Sequence, residues 1–171
     1  MQIWWVPDPC GRNYVFIAQS LLAASGLCGA LALRSGVLLA WHEGTWTLAA
    51  WAHLACALSD PGAVPRGAAE ALAPEELGDV RWCKHCQVAK PPRAHHCSTC
   101  QRCIRKMDHH CMWMNNCIGA NNQKHFLLFL IYTSAHCLGV PLRAPGTTSR
   151  TSAVWRGCCW RGAWGGSACS C

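Results

Sequence analysis

Charged side chains are scarce in this chain: 13% of its 171 residues are Asp, Glu, Lys or Arg, against 51% that are hydrophobic. So little charge excludes an ordinary soluble domain and points to segments that lie in lipid. Acids are the scarcer sign, eight against fifteen basic residues, for a formal charge of +7. The N-terminus lacks a basic n-region followed by a small-residue cleavage site, so a cleaved secretory signal is not expected. That absence, together with zinc-type spacing among the fifteen cysteines, argues against a secreted disulfide framework and for a reducing, cytosol-facing environment. The length is that of one ordinary domain.

Seven of the cysteines fall between Cys83 and Phe126: Cys83, Cys86, Cys97, Cys100, Cys103, Cys111 and Cys117, interleaved with His85, His95, His96, His109 and His110. Close C-x2-C pairs let one tight turn present two sulfurs to a single tetrahedral zinc. Cys83/Cys86 and Cys97/Cys100 are two such pairs, so two zinc sites are expected. Two closed sites take eight ligands; if six cysteines and two histidines fill them, one cysteine is left over. Cys111 is the expected spare, because it follows Asp108, His109 and His110. A thiol beside a histidine that is itself beside a carboxylate has the parts of an activated nucleophile: a base for its proton and an anion to orient that base.

Cys83-x2-Cys86, His96-Cys97-x2-Cys100-x2-Cys103, Asp108-His109-His110-Cys111, Cys117, Asn122 and Phe126 together resemble the cysteine-rich domain of the DHHC family of membrane-bound protein S-acyltransferases, or palmitoyltransferases. The resemblance implies one zinc on Cys83, Cys86, His96 and Cys103 and a second on Cys97, Cys100, His110 and Cys117. It also implies Cys111 as the acylated nucleophile, His109 as its base and Asp108 as the orienting carboxylate. Asp60-Pro61-Gly62 matches the motif that follows the family's second span, and the string from Asp60 to Gly67 resembles the Golgi-enriched subgroup. Met112 departs from the pattern, standing where the family usually has proline, and loss of the fixed φ is expected to loosen the turn that aims Cys111.

In chain order, residues 1–13 are expected to form an irregular leader whose Trp4 and Trp5 sit at the membrane interface. Residues 14–58 are expected to hold two transmembrane helices. Tyr14 to Leu33 has no formal charge and is long enough to span. The second span is placed at about Trp46 to Leu58, with residues 34–45 partly in a lumenal loop, because Glu43 at mid-bilayer would cost a few kcal/mol. Asp60-Pro61-Gly62 stops that helix, and read without the family it is only a stop. Residues 59–80 form a cytosolic linker with one short helix, and 81–126 a cysteine-rich domain of short hairpins in which zinc replaces a hydrophobic core. Residues 127–142 are expected to form a third transmembrane helix, and 143–171 a divergent tail without a fold. No fourth apolar segment and no Thr-Thr-x-Glu string follow, so a truncated or divergent C-terminus is expected.

The expected fold is therefore a membrane α-helical protein, with two to three transmembrane helices and an irregular two-zinc cysteine-rich domain. Between Arg81 and Lys124 stand eight Lys/Arg and one acid, Asp108, a surplus equal to the whole net charge. By the positive-inside rule this places the zinc domain in the cytosol, and it suits anionic lipid head groups or the phosphates of coenzyme A. The expected reaction moves a palmitoyl group from palmitoyl-CoA to cysteines of substrate proteins through a Cys111 acyl-enzyme, in the Golgi or ER membrane. Membrane lipids, palmitoyl-CoA and substrate proteins are the expected partners, with association into homo- or hetero-oligomers left open. Nucleic acid is not expected, for want of a finger helix with base-reading positions. The alternative is an inactive membrane zinc module that binds substrates or relatives. His85, His95 and His125 are expected to lie outside the metal sites, Cys10, Cys28, Cys56 and Cys137 to be packing residues, and Asn115, Asn116, Asn121 and Asn122 to be structural.

Overall fold

The computed structural model describes residues 3–33, 35–65 and 81–139. Residues 66–80 of the linker expected over 59–80, the end of the third span at 140–142 and the tail at 143–171 lie outside them. Two long helices come first, α1 (Pro9–Ala32) and α2 (Gly36–Leu58), and a third, α3 (Gln123–Gly139), follows three short hairpins. These hairpins are β1 (Trp82–Cys83) with β2 (Val88–Ala89), β3 (His95–Cys97) with β4 (Arg102–Ile104), and β5 (His110–Cys111) with β6 (Asn116–Cys117), each antiparallel. Within the helical part, α2 packs against both α1 and α3.

The leader is shorter than its composition suggests. Asp8 caps α1, its carboxylate accepting the amides of Cys10 and Gly11 at 3.2 and 2.8 Å, and Pro9 fills the first helical position, where a missing N–H costs nothing. Trp4 does not serve simply as an interfacial anchor: its backbone N–H donates to the Leu58 carbonyl at 2.9 Å and its ring lies under the Arg102 guanidinium, 5.8 Å from centroid to carbon.

A second correction concerns α2, which runs unbroken from Gly36 through the polar stretch Trp41–Thr45 that sequence composition assigns to a loop. Each polar group there has a partner. His42 Nδ1 bonds Glu43 at 3.2 Å, Thr45 donates to the Trp41 carbonyl at 2.8 Å and Thr47 to that of Glu43 at 2.7 Å. His42 also packs on the His136 ring of α3, centroids 4.2 Å apart, and against Gly29 of α1, where a Cβ would collide with the imidazole. Only glycine admits that ring. His136 is bonded in turn by Ser25 of α1 at 3.2 Å and Thr45 of α2 at 3.3 Å.

Large apolar side chains point outward from all three helices: Phe16, Leu21 and Leu27 on α1, Val37, Trp41 and Trp51 on α2, Leu127, Ile131 and Leu138 on α3. Polar ones, His42, Thr45, His53 and His136, point inward. Among the described residues, one helix, Pro9–Leu31, is long and apolar enough to cross a membrane by length and composition, with a mean hydropathy of 1.6.

The hairpins are fastened to α2 by asparagines and by Asp60–Val64. Asn116 donates to the carbonyls of Cys56, Ala57 and Ser59 at 3.0, 3.3 and 2.8 Å, supplying partners to the last turn of the helix. Asn122 bonds the Cys117 carbonyl and the Gly119 amide, and Asn115 bonds the Val6 carbonyl at 2.8 Å. Asp60 accepts the amides of Gly62 and Ala63 at 2.9 and 2.8 Å, and this turn sends the chain along β4, with Arg105 N–H donating to Gly62 and Val64 N–H to Cys103. More than a helix stop, the segment is the strap between helix and hairpins. Replacing Asn116 with Ala is expected to cost about 3 kcal/mol, because it orphans buried helix carbonyls. Denaturation of the detergent-solubilised chain, followed by far-ultraviolet circular dichroism, measures this; an unchanged midpoint would refute the capping role.

Two metal-binding tetrads and a third knuckle

All three hairpins close with the same four-residue turn, 84–87, 98–101 and 112–115, and each turn ends on a left-handed residue: Gln87 at φ 53°, Gln101 at 53° and Asn115 at 47°. In the first two, the turn carries the C-x2-C pair. The following hairpin contributes a cross-strand pair, since His96 faces Cys103 and His110 faces Cys117 in the strand register. Each metal-binding group therefore joins a turn from one hairpin to a strand pair from the next. Cys83, Cys86, His96 and Cys103 form one tetrad and Cys97, Cys100, His110 and Cys117 the other, with all four donor atoms of each within 4.8 Å of one another.

These donor sets fit a metal ion in number and chemistry: three thiols and one imidazole suit tetrahedral zinc. Crowding sets the donors against one another. Burial pushes the Cys103 thiol up to about 12, with hydrogen bonds to Cys83 and Cys86 adding to it. In the other tetrad, hydrogen bonds with Cys100 and Cys97 raise His110 to about 9, and hydrogen bonds with the same two thiols push Cys117 up. A divalent cation at the centre replaces the protons that such donors otherwise share. Outside both tetrads, His85 stacks on the His96 ring at 4.8 Å and His125 stands edge-on to Trp51 at 5.7 Å, while His95 is exposed on β3.

The third hairpin repeats the turn without a second cysteine. Cys111 occupies the place of Cys83 and Cys97, and Met114 the place of Cys86 and Cys100. Backbone bonds close these turns too: Gln87 N–H donates to the Cys83 carbonyl at 2.8 Å, Cys100 N–H to the Cys97 sulfur at 3.3 Å and Met114 N–H to the Cys111 carbonyl at 3.2 Å. Cys111 is thus a knuckle cysteine outside both tetrads. Spacing alone could not reveal this third turn, because methionine carries no ligand signature. Met112 is largely exposed, and the turn it occupies is closed by the Met114 and Asn115 amides donating to the Cys111 and Met112 carbonyls and by the left-handed Asn115. The expected loosening at Met112 is therefore offset by bonds that do not involve its side chain.

Alternation along β5 turns His110 toward the tetrad and Cys111 toward the helices. Half-buried Cys111 packs with Phe126 and Phe129 of α3 on a buried cluster of Cys56, Met114 and Ile118. Burial pushes its thiol up, and the Met114 and Trp113 amides pull it partway back. Asp108 Oδ2 lies 3.3 Å from His109 Nδ1, both side chains well exposed, and the His109 ring stands edge-on to Phe126 at 5.4 Å. Phe126 therefore borders both His109 and Cys111; no hydrogen bond joins those two among the described residues. The composition-based expectation also missed His53, fully buried on α2 and bonded to this turn. No local pattern marks it, since its partner is 60 residues away.

A family profile described as DHHC palmitoyltransferase matches residues 76–141. Palmitoyltransferase ZDHHC7 of Mus musculus is 52% identical over 158 residues, covering 80% of this chain and 50% of that protein. Palmitoyltransferase ZDHHC3 of Homo sapiens is 56% identical over 90 residues, 50% of this chain and 30% of that protein. The Probable protein S-acyltransferase 13 of Arabidopsis thaliana is 43% identical over 122 residues, 61% and 40% respectively. The chain spans half or less of the length of these curated relatives.

Proposed function

We propose that this chain, whose residues 76–141 match the DHHC palmitoyltransferase family profile, is a protein S-acyltransferase whose nucleophile is Cys111. The observation that carries the proposal is the third knuckle: a thiol outside both tetrads, at the turn of a hairpin that repeats the other two, at the junction of hairpins and helices. In the first step the Cys111 sulfur bonds to the carbonyl carbon of palmitoyl-CoA and the carbon–sulfur bond to coenzyme A breaks. His109, oriented by Asp108, takes the Cys111 proton and returns it to the departing coenzyme A sulfur. A substrate cysteine thiolate then attacks the Cys111 thioester and the acyl group leaves on it, restoring the Cys111 thiolate. The two tetrads hold structural zinc, which fixes the hairpins.

The helices are proposed to lie in lipid, α2 and α3 alongside α1, an arrangement supported by outward apolar and inward polar side chains. The acyl chain would lie against Phe126, Phe129 and Met114. Exposed Lys84, Arg105, Lys106 and Lys124 suit the phosphates of the donor or of anionic lipids on the cytosolic face. Similarity to the ZDHHC3 and ZDHHC7 proteins and the Asp60–Gly67 string support a Golgi-membrane setting.

Incubating the zinc-loaded chain in detergent with labelled palmitoyl-CoA tests the reading: hydroxylamine-sensitive label on Cys111 is expected. His109→Gln is expected to slow its appearance about a hundredfold or more, the range of a lost general base. Absence of label from a chain that retains two zincs would leave a membrane module that binds without transferring.

A further inference from the structure

His53 belongs to α2 and has no exposed surface. Both its ring nitrogens are bonded across the fold. Nδ1 lies 2.9 Å from Gln19 Nε2 of α1, and Nε2 lies 3.1 Å from the Trp113 carbonyl oxygen in the third knuckle. A carbonyl only accepts, so Nε2 carries the hydrogen; Nδ1 then accepts from the Gln19 amide, and the two bonds select one tautomer. The ring is wedged edge-on against Phe129 at 5.2 Å. From the other side, Tyr14 of α1 holds the Trp113 side chain edge-on, ring centroids 5.0 Å apart.

The Trp113 carbonyl and the Met114 N–H belong to one peptide plane. No cis bond occurs among the described residues, and in a trans peptide these two groups point in opposite directions. When the carbonyl is directed at His53, the N–H is directed back at Cys111, whose carbonyl it meets at 3.2 Å, closing the turn. A hydrogen bond on the oxygen also polarises the amide and strengthens its donor. In the tetrads a bound metal ion would fix the matching turns. The third knuckle has Met114 in place of the second cysteine, and His53 supplies the fixation from the helix instead.

We propose that His53, set in its tautomer by Gln19, is a positioning residue for acyl transfer: it pins and polarises the 113–114 peptide, whose N–H closes the turn onto the Cys111 carbonyl and so holds Cys111 in place. The proposal rests on Cys111 being the nucleophile, and its test therefore includes a readout that needs no acyl donor. In the full zinc-loaded chain, alkylation of Cys111 by iodoacetamide is followed by peptide mass spectrometry, and autoacylation is followed across palmitoyl-CoA concentrations. His53→Leu is expected to slow both alkylation and the saturating acylation rate about tenfold, the scale of one hydrogen bond, with half-saturation unchanged. His53→Gln, whose side-chain amide still donates to the Trp113 carbonyl, is expected to return both rates to within about threefold of wild type.

Equal rates in wild type and His53→Leu would overturn the proposal, as would a His53→Gln variant no better than His53→Leu, which marks a packing role alone. Should His53→Leu release zinc, Gln19→Leu keeps the ring and frees Nδ1; about a threefold slowing is then expected, and none would overturn the tautomer argument. A wild-type chain that is alkylated at Cys111 but never acylated would sink the transferase reading while alkylation of the variants still judges His53.

Discussion

Cys111→Ser is expected to abolish hydroxylamine-sensitive labelling by palmitoyl-CoA, at least about a thousandfold, while both metal tetrads stay filled. The thiol is outside both donor sets and on the opposite face of β5 from His110, so its loss removes no ligand. Serine is close in size and leaves untouched the Met114 and Asn115 N–H bonds to the carbonyls of residues 111 and 112, so the knuckle should close as before. What changes is the nucleophile: a hydroxyl is far harder to ionise than a thiol, and the surrounding burial that raises the thiol penalises an alkoxide more. Two zincs per chain by metal analysis, with no label, is the expected outcome. Undiminished label on Cys111→Ser would move the acylated residue elsewhere and end the proposed mechanism.

Cys117→Ser should have the opposite pattern, losing metal first and everything else with it. Cys117 is fully buried, is the cross-strand partner of His110, and completes a tetrad whose other thiols come from the preceding hairpin. A structural zinc contributes on the order of 10–16 kcal/mol of folding free energy, as much as a whole domain's typical stability of about 5–15 kcal/mol. These hairpins of two or three residues per strand have little other core, so a tetrad deprived of a thiolate cannot be replaced by packing. Because Asn116 on the same strand caps α2 and Cys111 begins the same hairpin, the expected loss extends to the helix junction and to acylation. Zinc stoichiometry falling from two to one, with earlier thermal unfolding and no label, is the expected result. A Cys117→Ser chain that keeps two zincs would remove Cys117 from the ligand set.

The two substitutions divide the cysteines by what was legible. Ligand residue types can be read from spacing, because a C-x2-C pair has one short geometric solution, whereas the partition into tetrads needs the strand register. His96 facing Cys103 and His110 facing Cys117 show why: each set is closed by a cross-strand pair from the next hairpin. Local sequence also marks Tyr14–Leu33 as a helix, through a long run without charge, yet it misplaces the start, because Asp8 and Pro9 act as cap and first residue only once the chain turns there.

Glu43 misled the reading of α2, since the cost of a charge in lipid is computed from composition alone, and composition does not show His136, brought beside His42 by α3, or the vacant side of Gly29 that admits the ring. The candidate metal donors, the spare thiol and the apolar run of α1 are legible along the chain, since each depends on residues close together in it. Tertiary structure alone decided the continuity of α2, the third knuckle with methionine in a cysteine's place, and the link from Gln19 through His53 to Trp113. The first and the last depend on hydrogen bonds and ring contacts between groups 34 to 94 residues apart, which no local pattern encodes; the knuckle is local, but methionine carries no ligand signature.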